Sequence, residues 1–502
     1  MTFNLSEGIH ANAQRHPDKL AVTDVHRHLS WAELDERVDR AAQGLHNLGV
    51  RQGDRVSFVG RNGMSFYELY FGLARIGAVI APLNWRLSGE EIAALLDDAQ
   101  AKLVVADAEF RGLIPPGVRT IASGAEFDCW RDLHPRGTFG GPYAPDDVIV
   151  QSYTSGTTGV PKGVLITNRM VEIGWHTVRE EYSGVGPDAV ILITMPVHHV
   201  GGTGPAVWAV AEGASLVLTA AFEPELVLNV IERYGVTFMN LAPVMVSMLA
   251  EAQDARPRDI SSLRCIIYGG QSITSKAVAK IMSAMDIELT QVYGLTETAG
   301  GPITHLVRHD HTGSRGRSAG QPVRAYRVAA FGPDDELLPA GAVGEIRLKS
   351  EQTTPGYWLR PDATASLYRD GWLCTGDAGY VDADGYLFVT DRIKDMIVTG
   401  GENVFPAEVE RVLINHPAVQ EVSVVGSPDE KWGETVAAFV VIDPRQMITG
   451  EEIIAWSRDK IAGYKRPRRV ILLPELPKNA AGKVMRRELR ASLWRDREQV
   501  IG

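Results

Sequence analysis

The sequence predicts an α/β protein: a large N-terminal domain of stacked α/β sheets with a small β-barrel, then a small α+β C-terminal domain. Three observations predict it. Apolar strand-like runs alternate with amphipathic helical stretches through the first half. From about Ala329 the pattern shifts to short strands broken by Gly and Asp. After Lys394 a compact mixture of helices and strands follows, so the boundary is placed between residues 1–393 and 394–502.

The elements follow in order. "LSWAELDERVDRAAQGLHNLGV" pairs Ser30 with Glu33 as a capping box, places Leu34, Val38, Ala41 and Leu45 on one face, and ends at Gly49. "RVSFVG" reads as a buried strand, "SFYELYFGLARIGA" as a helix and "VIAPLN" as a strand. Ser88 and Glu91 repeat the capping box before the strand "KLVVAD". Strand–helix alternation of this kind implies parallel sheets covered by helices. It resumes with "DAVILITMP", the glycine-led helix "GGTGPAVWAVAEGA", "SLVLT", the helix "PELVLNVIERYG", "VTFMNLAP" and "SLRCIIYGG". "GEIRLKS" and "GWLCTGDAGYVDADGYLFVTDR" make the β-rich part. The last segment reads helix "PAEVERVLINH", strands "VQEVSVVGS" and "TVAAFVVI", helix "GEEIIAWSRDKI" and strand "RRVILL".

Bulk properties narrow the function. The chain has 502 residues and a formal net charge of -11, against the basic footprint of nucleic-acid binding. An anionic ligand must be held by a local site. Cys129, Cys265 and Cys374 show neither disulfide nor zinc spacing. The N-terminus lacks a signal-peptide pattern, and no run is long and apolar enough to span a membrane. A cytoplasmic protein without integral membrane association is expected.

One loop interrupts the alternation: "YTSGTTGVPKG", residues 153–163. It is not a Walker A loop, since Pro161 precedes Lys162. Gly156 and Gly159 allow the turns that expose backbone N–H groups. Thr154, Ser155, Thr157 and Thr158 add hydroxyls and Lys162 a cation. On the residues alone, a phosphate cradle and a plain polar surface loop both stay open.

Its company is more specific. "YTSGTTGVPKG", "MPVHHVGG", "YGG", "YGLTETAG", "GWLCTGD", "DRIKDMIVTGGENVFP" and "NAAGK" occur in that order across nearly the whole chain. The set resembles the adenylate-forming superfamily, and within it the fatty-acyl and aryl acyl-CoA synthetases. That resemblance implies ATP, Mg2+ and coenzyme A as cofactors and a carboxylic acid as substrate. The acid displaces pyrophosphate from ATP, and the thiol then displaces AMP.

The resemblance also implies roles. Lys162 and the loop from Thr154 through Gly159 would hold the β- and γ-phosphates. Tyr293 would stack on adenine, with Gly269, Gly270, Gln271 and Gly294 beside it. Thr296 would donate to the α-phosphate and Glu297 would hold Mg2+. Asp377 would take the ribose hydroxyls, with Arg392 at ribose or phosphate. Lys483 would bond the acid and α-phosphate during the first step. Lys394 would be the hinge of a mobile C-terminal domain. Gly400, Gly401, Glu402 and Trp432 would then line the coenzyme A tunnel, with a core aromatic as the other reading of Trp432. Lys465, Arg466, Arg468 and Arg469 form a basic cluster, either a coenzyme A phosphate contact or solvated charge.

His199 matches the family histidine that places the carboxylate. His198 stands where Phe or Tyr is usual, and would make the pocket entrance more polar. Gly201, Gly202, Gly204, Ala299, Gly300 and Gly301 would line an acyl pocket whose small residues leave volume for a fatty or bulky hydrophobic acid. Two other readings stay open: an enzyme that loads a separate carrier protein, and a non-catalytic nucleotide-binding scaffold. A homodimer is also left open.

Overall fold

The computed structural model describes residues 4–139, 144–154, 161–270, 275–392, 395–399, 402–429, 432–458, 460–478 and 483–494. The chain forms two compact units. The first comprises Met1–Val328, Leu348–Cys374 and Asp384–Leu387; the second comprises Ala329–Arg347, Thr375–Ala383 and Phe388–Gly502. The chain passes between them inside the β-rich stretch. The boundary expected at Lys394 lies outside the described residues.

The first unit carries two α/β sheets. The nine-stranded sheet has the spatial order Gln321–Pro322, Thr304–Leu306, Glu288–Tyr293, Cys265–Gly269, Phe238–Leu241, Val190–Ile193, Ser215–Leu218, Leu20–Thr23, His28–Ser30. Its central strands run parallel and its two ends antiparallel. The six-stranded sheet has the order Thr120–Ala122, Leu103–Ala106, Arg55–Val59, Val79–Leu83, Val148–Thr154, Lys162–Thr167. Both capping boxes form with reciprocal hydrogen bonds and start the helices Trp31–Asn47 and Gly89–Ala99.

One hydrophobic cluster joins side chains of both sheets and the helices between them. At its centre the helix Met64–Arg75 is buried at every position. Phe66, Tyr67, Tyr70 and Phe71 pack ring against ring. A helix apolar around most of its circumference belongs in a core, but this one also buries Glu68 and Arg75. Glu68 pairs with Arg131, itself 2% exposed, and with Arg37. Burial pushes the Glu68 carboxyl up, against the pull of Arg131 and Arg37. Arg75 pairs with Asp35 at 2.6 Å.

In the second unit a hairpin of Val419–Asp429 and Gly433–Ile442 is flanked by Arg469–Leu472 and by Ile397–Thr399 with Glu402–Val404. The helices Pro406–Leu413 and Gly450–Trp456 pack on it around Val409, Leu413, Val424, Val436 and Ile453. A further five-stranded sheet, Arg327–Phe331, Gly344–Lys349, Trp372–Val381, Tyr368–Arg369 and Leu387–Arg392, forms the β-rich region, and the division between units runs through its strands. Among the described residues no helix is long and apolar enough to cross a membrane.

Truncating one partner of a buried pair strands the other charge, at a cost of about 3–5 kcal/mol. Arg131 keeps Asp128 at 2.7 Å and Asp132 at 2.9 Å when Glu68 is lost, so Glu68→Ala is expected to cost less than that, lowering the unfolding free energy by about 2 kcal/mol. Chemical denaturation measures it; a loss within about 0.5 kcal/mol of zero, as for an ordinary surface change, would contradict this account of the core.

Candidate active site

The interrupting loop is the tip of a β-hairpin. β1 (Val148–Thr154) and β2 (Lys162–Thr167) pair antiparallel, with Thr154 opposite Lys162. The loop thus starts and ends at one place, and its last cation stands beside its first hydroxyl. Ser155, Gly156, Thr157, Thr158 and Gly159 lie outside the described residues. The helix that follows β2, Asn168–Glu181, is capped by the Thr167 hydroxyl.

The second component comes from the nine-stranded sheet. α1 (Val200–Glu212) begins directly after His199. β3 (Cys265–Gly269) and β4 (Glu288–Tyr293) run parallel, with Gly269 level with Val292. Both end at one edge of the sheet, where open α/β sheets bind ligands. A Cβ at Gly269 would lie 2.4 Å from the Val292 carbonyl oxygen, and Gly270 has φ +86°. The first glycine is thus required by the neighbouring strand and the second by its backbone conformation. Tyr293 ends β4, and Gly294 passes close to the Gly301 carbonyl. A tight turn, Thr296–Thr298, then presents Thr296 and Glu297; the Thr298 hydroxyl closes it by donating to the Leu295 carbonyl at 2.9 Å. Gln271 lies outside the described residues.

Lys162 and Glu297 meet through a residue not singled out in the sequence. The Tyr357 hydroxyl donates to Glu297 Oε1 at 2.8 Å, and the Lys162 ammonium lies 5.0 Å from the Tyr357 ring centroid. Tyr357 belongs to a strap, residues 352–358, bonded to both components. Leu165 N–H donates to the Gly356 carbonyl, Trp358 N–H to the Gly163 carbonyl, and Thr354 N–H to the Glu297 carbonyl at 2.8 Å. "TTPGYW", a Pro-Gly turn followed by a hydroxyl-bearing aromatic, was the available signal.

The glycines expected to leave acyl volume are closely packed instead. A Cβ at Gly202 would meet the Pro196 carbonyl at 2.5 Å, one at Gly300 would meet Val200 at 2.2 Å, and one at Gly301 would meet Gln352 at 2.2 Å. Gly201 abuts Asn240; only Gly204, with its nearest neighbour at 3.7 Å, has room. His198 and His199 lie with ring centroids 4.4 Å apart. His198 is 4% exposed, and neither ring nitrogen has a hydrogen-bond partner among the described residues. Burial, then His199 and Arg86, pull its pKa down to about 2, and burial and Arg86 also lower His199. His198 is thus a buried neutral ring, not a polar group at an entrance.

The remaining expected residues belong to the second unit. Asp377 is buried, and its N–H donates to the Thr375 hydroxyl at 3.0 Å. Trp432 is 45% exposed in a turn held by its N–H to Asp429 Oδ1, which removes the core-aromatic reading. Lys483 is exposed and stands three residues before Arg486, which is pinned by Asp391 at 2.9 Å and Glu410 at 2.8 Å. Lys465 is paired with Glu408 at 2.7 Å, so the basic cluster is partly neutralised. Lys394, Gly400 and Gly401 lie outside the described residues, as do the side chains of Arg392 and Glu402.

Among the described residues no group of three or more His, Cys, Asp or Glu side chains is placed to cage a metal. A single half-buried carboxylate, Glu297, fits Mg2+, which keeps its waters and binds through one or two carboxylates plus substrate phosphates. The histidines generate a pH prediction. The unfolded His198 takes up a proton below about pH 6.5, whereas the folded ring stays neutral down to about 2. Folding stability is therefore lost as pH falls below 6.5, by about 1.4 kcal/mol per pH unit from this group. His198→Phe should remove that component, gaining about 2 kcal/mol on the parent between pH 6.5 and 5 in denaturation curves; parallel pH profiles would refute it.

Residues 9–358 match the AMP-binding enzyme family, and residues 408–483 match the AMP-binding enzyme C-terminal domain. The chain is 36% identical over 500 residues to the fatty acid–acyl-carrier-protein ligase ScoC of Streptomyces coeruleorubidus, covering 97% of this chain and 95% of that one. It is 35% identical over 484 residues to the long-chain-fatty-acid–CoA ligase FadD13 of Mycobacterium tuberculosis, covering 93% of each. Among solved structures, o-succinylbenzoate CoA synthetase (MenE) of Bacillus subtilis with its acyl-adenylate intermediate OSB-AMP superposes with a TM-score of 0.87 at 29% identity, covering 96% of this chain and 97% of that one. With Lys162 at the root of a polar hairpin loop and Glu297 on a Thr-Glu turn, both tied to one strap, and matches that span both units, the chain belongs to the AMP-binding enzyme family of adenylate-forming ligases.

Proposed function

We propose that this chain is an AMP-forming acyl-CoA synthetase acting on a fatty or bulky hydrophobic or aryl carboxylic acid, a class supported by the acids for which its relatives are named and not by the packed glycines. The observation that carries the reading is the line Lys162–Tyr357–Glu297: a cation at the root of the hairpin and a hard carboxylate, each in contact with one tyrosine, with the intervening loop sequence rich in hydroxyls and glycine. That arrangement suits a polyphosphate with its metal.

The acid's carboxylate attacks the α-phosphorus of ATP. A P–O bond forms, the bond to the β-phosphate oxygen breaks, and pyrophosphate leaves. The coenzyme A thiol, losing its proton, then attacks the acyl carbon, and AMP leaves with the electrons of the C–O bond. The first step brings one anion onto another, so charge neutralisation is its main requirement. In this reading Lys162, Thr154 and the loop between them take the outer phosphates, and Mg2+ at Glu297 adds positive charge there. Thr296 donates to the α-phosphate, Tyr293 and the Gly269–Gly270 turn flank adenine, and Asp377 takes the ribose hydroxyls. Lys483 joins the acid to the α-phosphate, and Trp432 and Glu402 belong to the coenzyme A step, after the C-terminal domain, residues 394–502, turns about Lys394. Cys129, Cys265 and Cys374 form no disulfide, in keeping with a reducing cytoplasm.

The test is acid-dependent pyrophosphate release from ATP and Mg2+, over a panel of fatty and aryl acids, followed by thioester formation. Release is expected only with acid present; none with any acid would leave a nucleotide-binding scaffold. Coenzyme A is expected to accept the acyl group without a carrier protein, and transfer only to a carrier would favour the carrier-loading reading. Lys483→Ala should slow acyl-adenylate formation about 100-fold. It should change thioester formation from supplied adenylate far less; equal losses in the two half-reactions would remove its assigned role.

A further inference from the structure

We infer that Tyr357 is a positioning residue that holds Lys162 and Glu297 near one another while keeping them from pairing, so that both remain available to a metal-bound polyphosphate. The inference rests on the reading of that site given above.

Lys162 and Glu297 are opposite charges that share one neighbour, Tyr357, which is in contact with each, yet they form no ion pair with one another. Its two contacts use different parts of the ring system. The phenol O–H takes one oxygen of Glu297, Oε1, and fixes the carboxylate's rotation. Oε2 has no hydrogen-bond partner among the described residues. A carboxylate with one oxygen held by a donor and one free is arranged for monodentate ligation, and outer partners of this kind tune metal affinity. The negative ring face meets the Lys162 ammonium at 5.0 Å, a favourable cation–π distance. The lysine gains a partner that cannot neutralise it.

The tyrosine is itself held. The Tyr357 N–H donates to the Thr364 hydroxyl at 3.0 Å. Thr354 donates its hydroxyl to the Leu165 carbonyl at 2.6 Å, and Tyr326 donates to the Gln352 carbonyl at 3.0 Å. Trp358, next in the chain, lies under Arg55 at 3.4 Å and donates its indole N–H to the Asp98 carbonyl at 3.0 Å. The ring is thus placed by the six-stranded sheet and the strap, independently of either charge it separates.

The experiment titrates Mn2+, read by electron paramagnetic resonance, into the full chain with a non-hydrolysable ATP analogue, and measures AMP binding by calorimetry. Tyr357→Phe keeps the ring and should weaken Mn2+ binding about tenfold, leaving AMP binding, which needs no outer phosphates, at the parent's affinity. Tyr357→Leu should weaken the ATP analogue as well, because Lys162 and Glu297 can then pair directly. In a Glu297→Gln background, Tyr357→Phe should produce no further loss of Mn2+ affinity, since its target charge is gone. The inference is overturned if Tyr357→Phe binds Mn2+ as the parent does, or if the loss is the same in both backgrounds, as a purely structural role requires. A parent chain that binds neither the ATP analogue nor Mn2+ would overturn the functional reading itself, and is distinguishable because no variant is needed to see it.

Discussion

Lys162 and Glu297 come from a strand and a turn more than a hundred residues apart, carry opposite charge, and are both held against Tyr357 without pairing with one another. Much of the first unit can be understood as what this arrangement requires. Each charge must be anchored by its own backbone, and something must stand between them. The hairpin anchors Lys162 through its register with Thr154, and the turn after β4 anchors Glu297. The strap from Gln352 to Trp358 bonds to the backbone of both, so neither component shifts without the other. Side chains alone would not do this, because a lysine and a glutamate free to move in a low-dielectric setting attract strongly.

That strap is in turn fixed to the six-stranded sheet by charged and aromatic groups. Arg55, from a central strand, stacks on Trp358 and donates to Gln151 at 3.1 Å; Gln151 donates to Tyr153 at 2.8 Å, and Tyr153 to Asp98 at 2.8 Å. Arg360 also binds Asp98. Tyr153 immediately precedes Thr154, so the chain of bonds ends at the root of the loop. Burial and the bond to Asp98 push its phenol well above the ordinary range, and it stays neutral as the pH rises through that range. The buried Glu68–Arg131 pair plays a comparable part deeper in the core, tying the fully buried helix to Ala125–Asp132. Both are polar groups inside an apolar core, where a missing partner costs more than the bond itself contributes.

The sequence was legible where local rules and tertiary structure agree. The two capping boxes fixed helix starts to the residue, and the alternation of apolar strands with amphipathic helices anticipated the parallel sheets. It was less legible where a residue's role depends on a neighbour distant in the chain. Gly202 and Gly300 looked like empty volume; their neighbours are Pro196 and Val200, which no local pattern reports. β2 was missed because Lys162 and Gly163 read as loop, although pairing with β1 makes them strand. Trp432 is an aromatic that the burial tendency of its type places inside and the turn at Asp429 places outside. Tyr357 escaped notice because its significance lies in two side chains, each about sixty or more residues removed along the chain.

The same electrostatic logic bears on which cations a reaction between two anions can draw on. The chain carries a net charge of -11, so its overall field repels ATP and a carboxylate alike. A protonated histidine beside the acid would help, but His198 is too deeply buried to hold a proton at neutral pH, and burial disfavours the charged form of His199 as well. Neutral imidazoles can orient a carboxylate by hydrogen bonding but cannot offset its charge. In the proposed reaction the neutralising charge would then fall to Lys162, to Mg2+ held by Glu297 and to Lys483. Lys483 stands exposed beside a well-anchored arginine, and Lys162 stands at the mouth of the hairpin. A cation that must act in one step and leave the thiol room in the next is better carried on an exposed segment than built into a buried core. The division of labour proposed between the fixed residues around Tyr357 and the exposed Lys483 would meet that requirement.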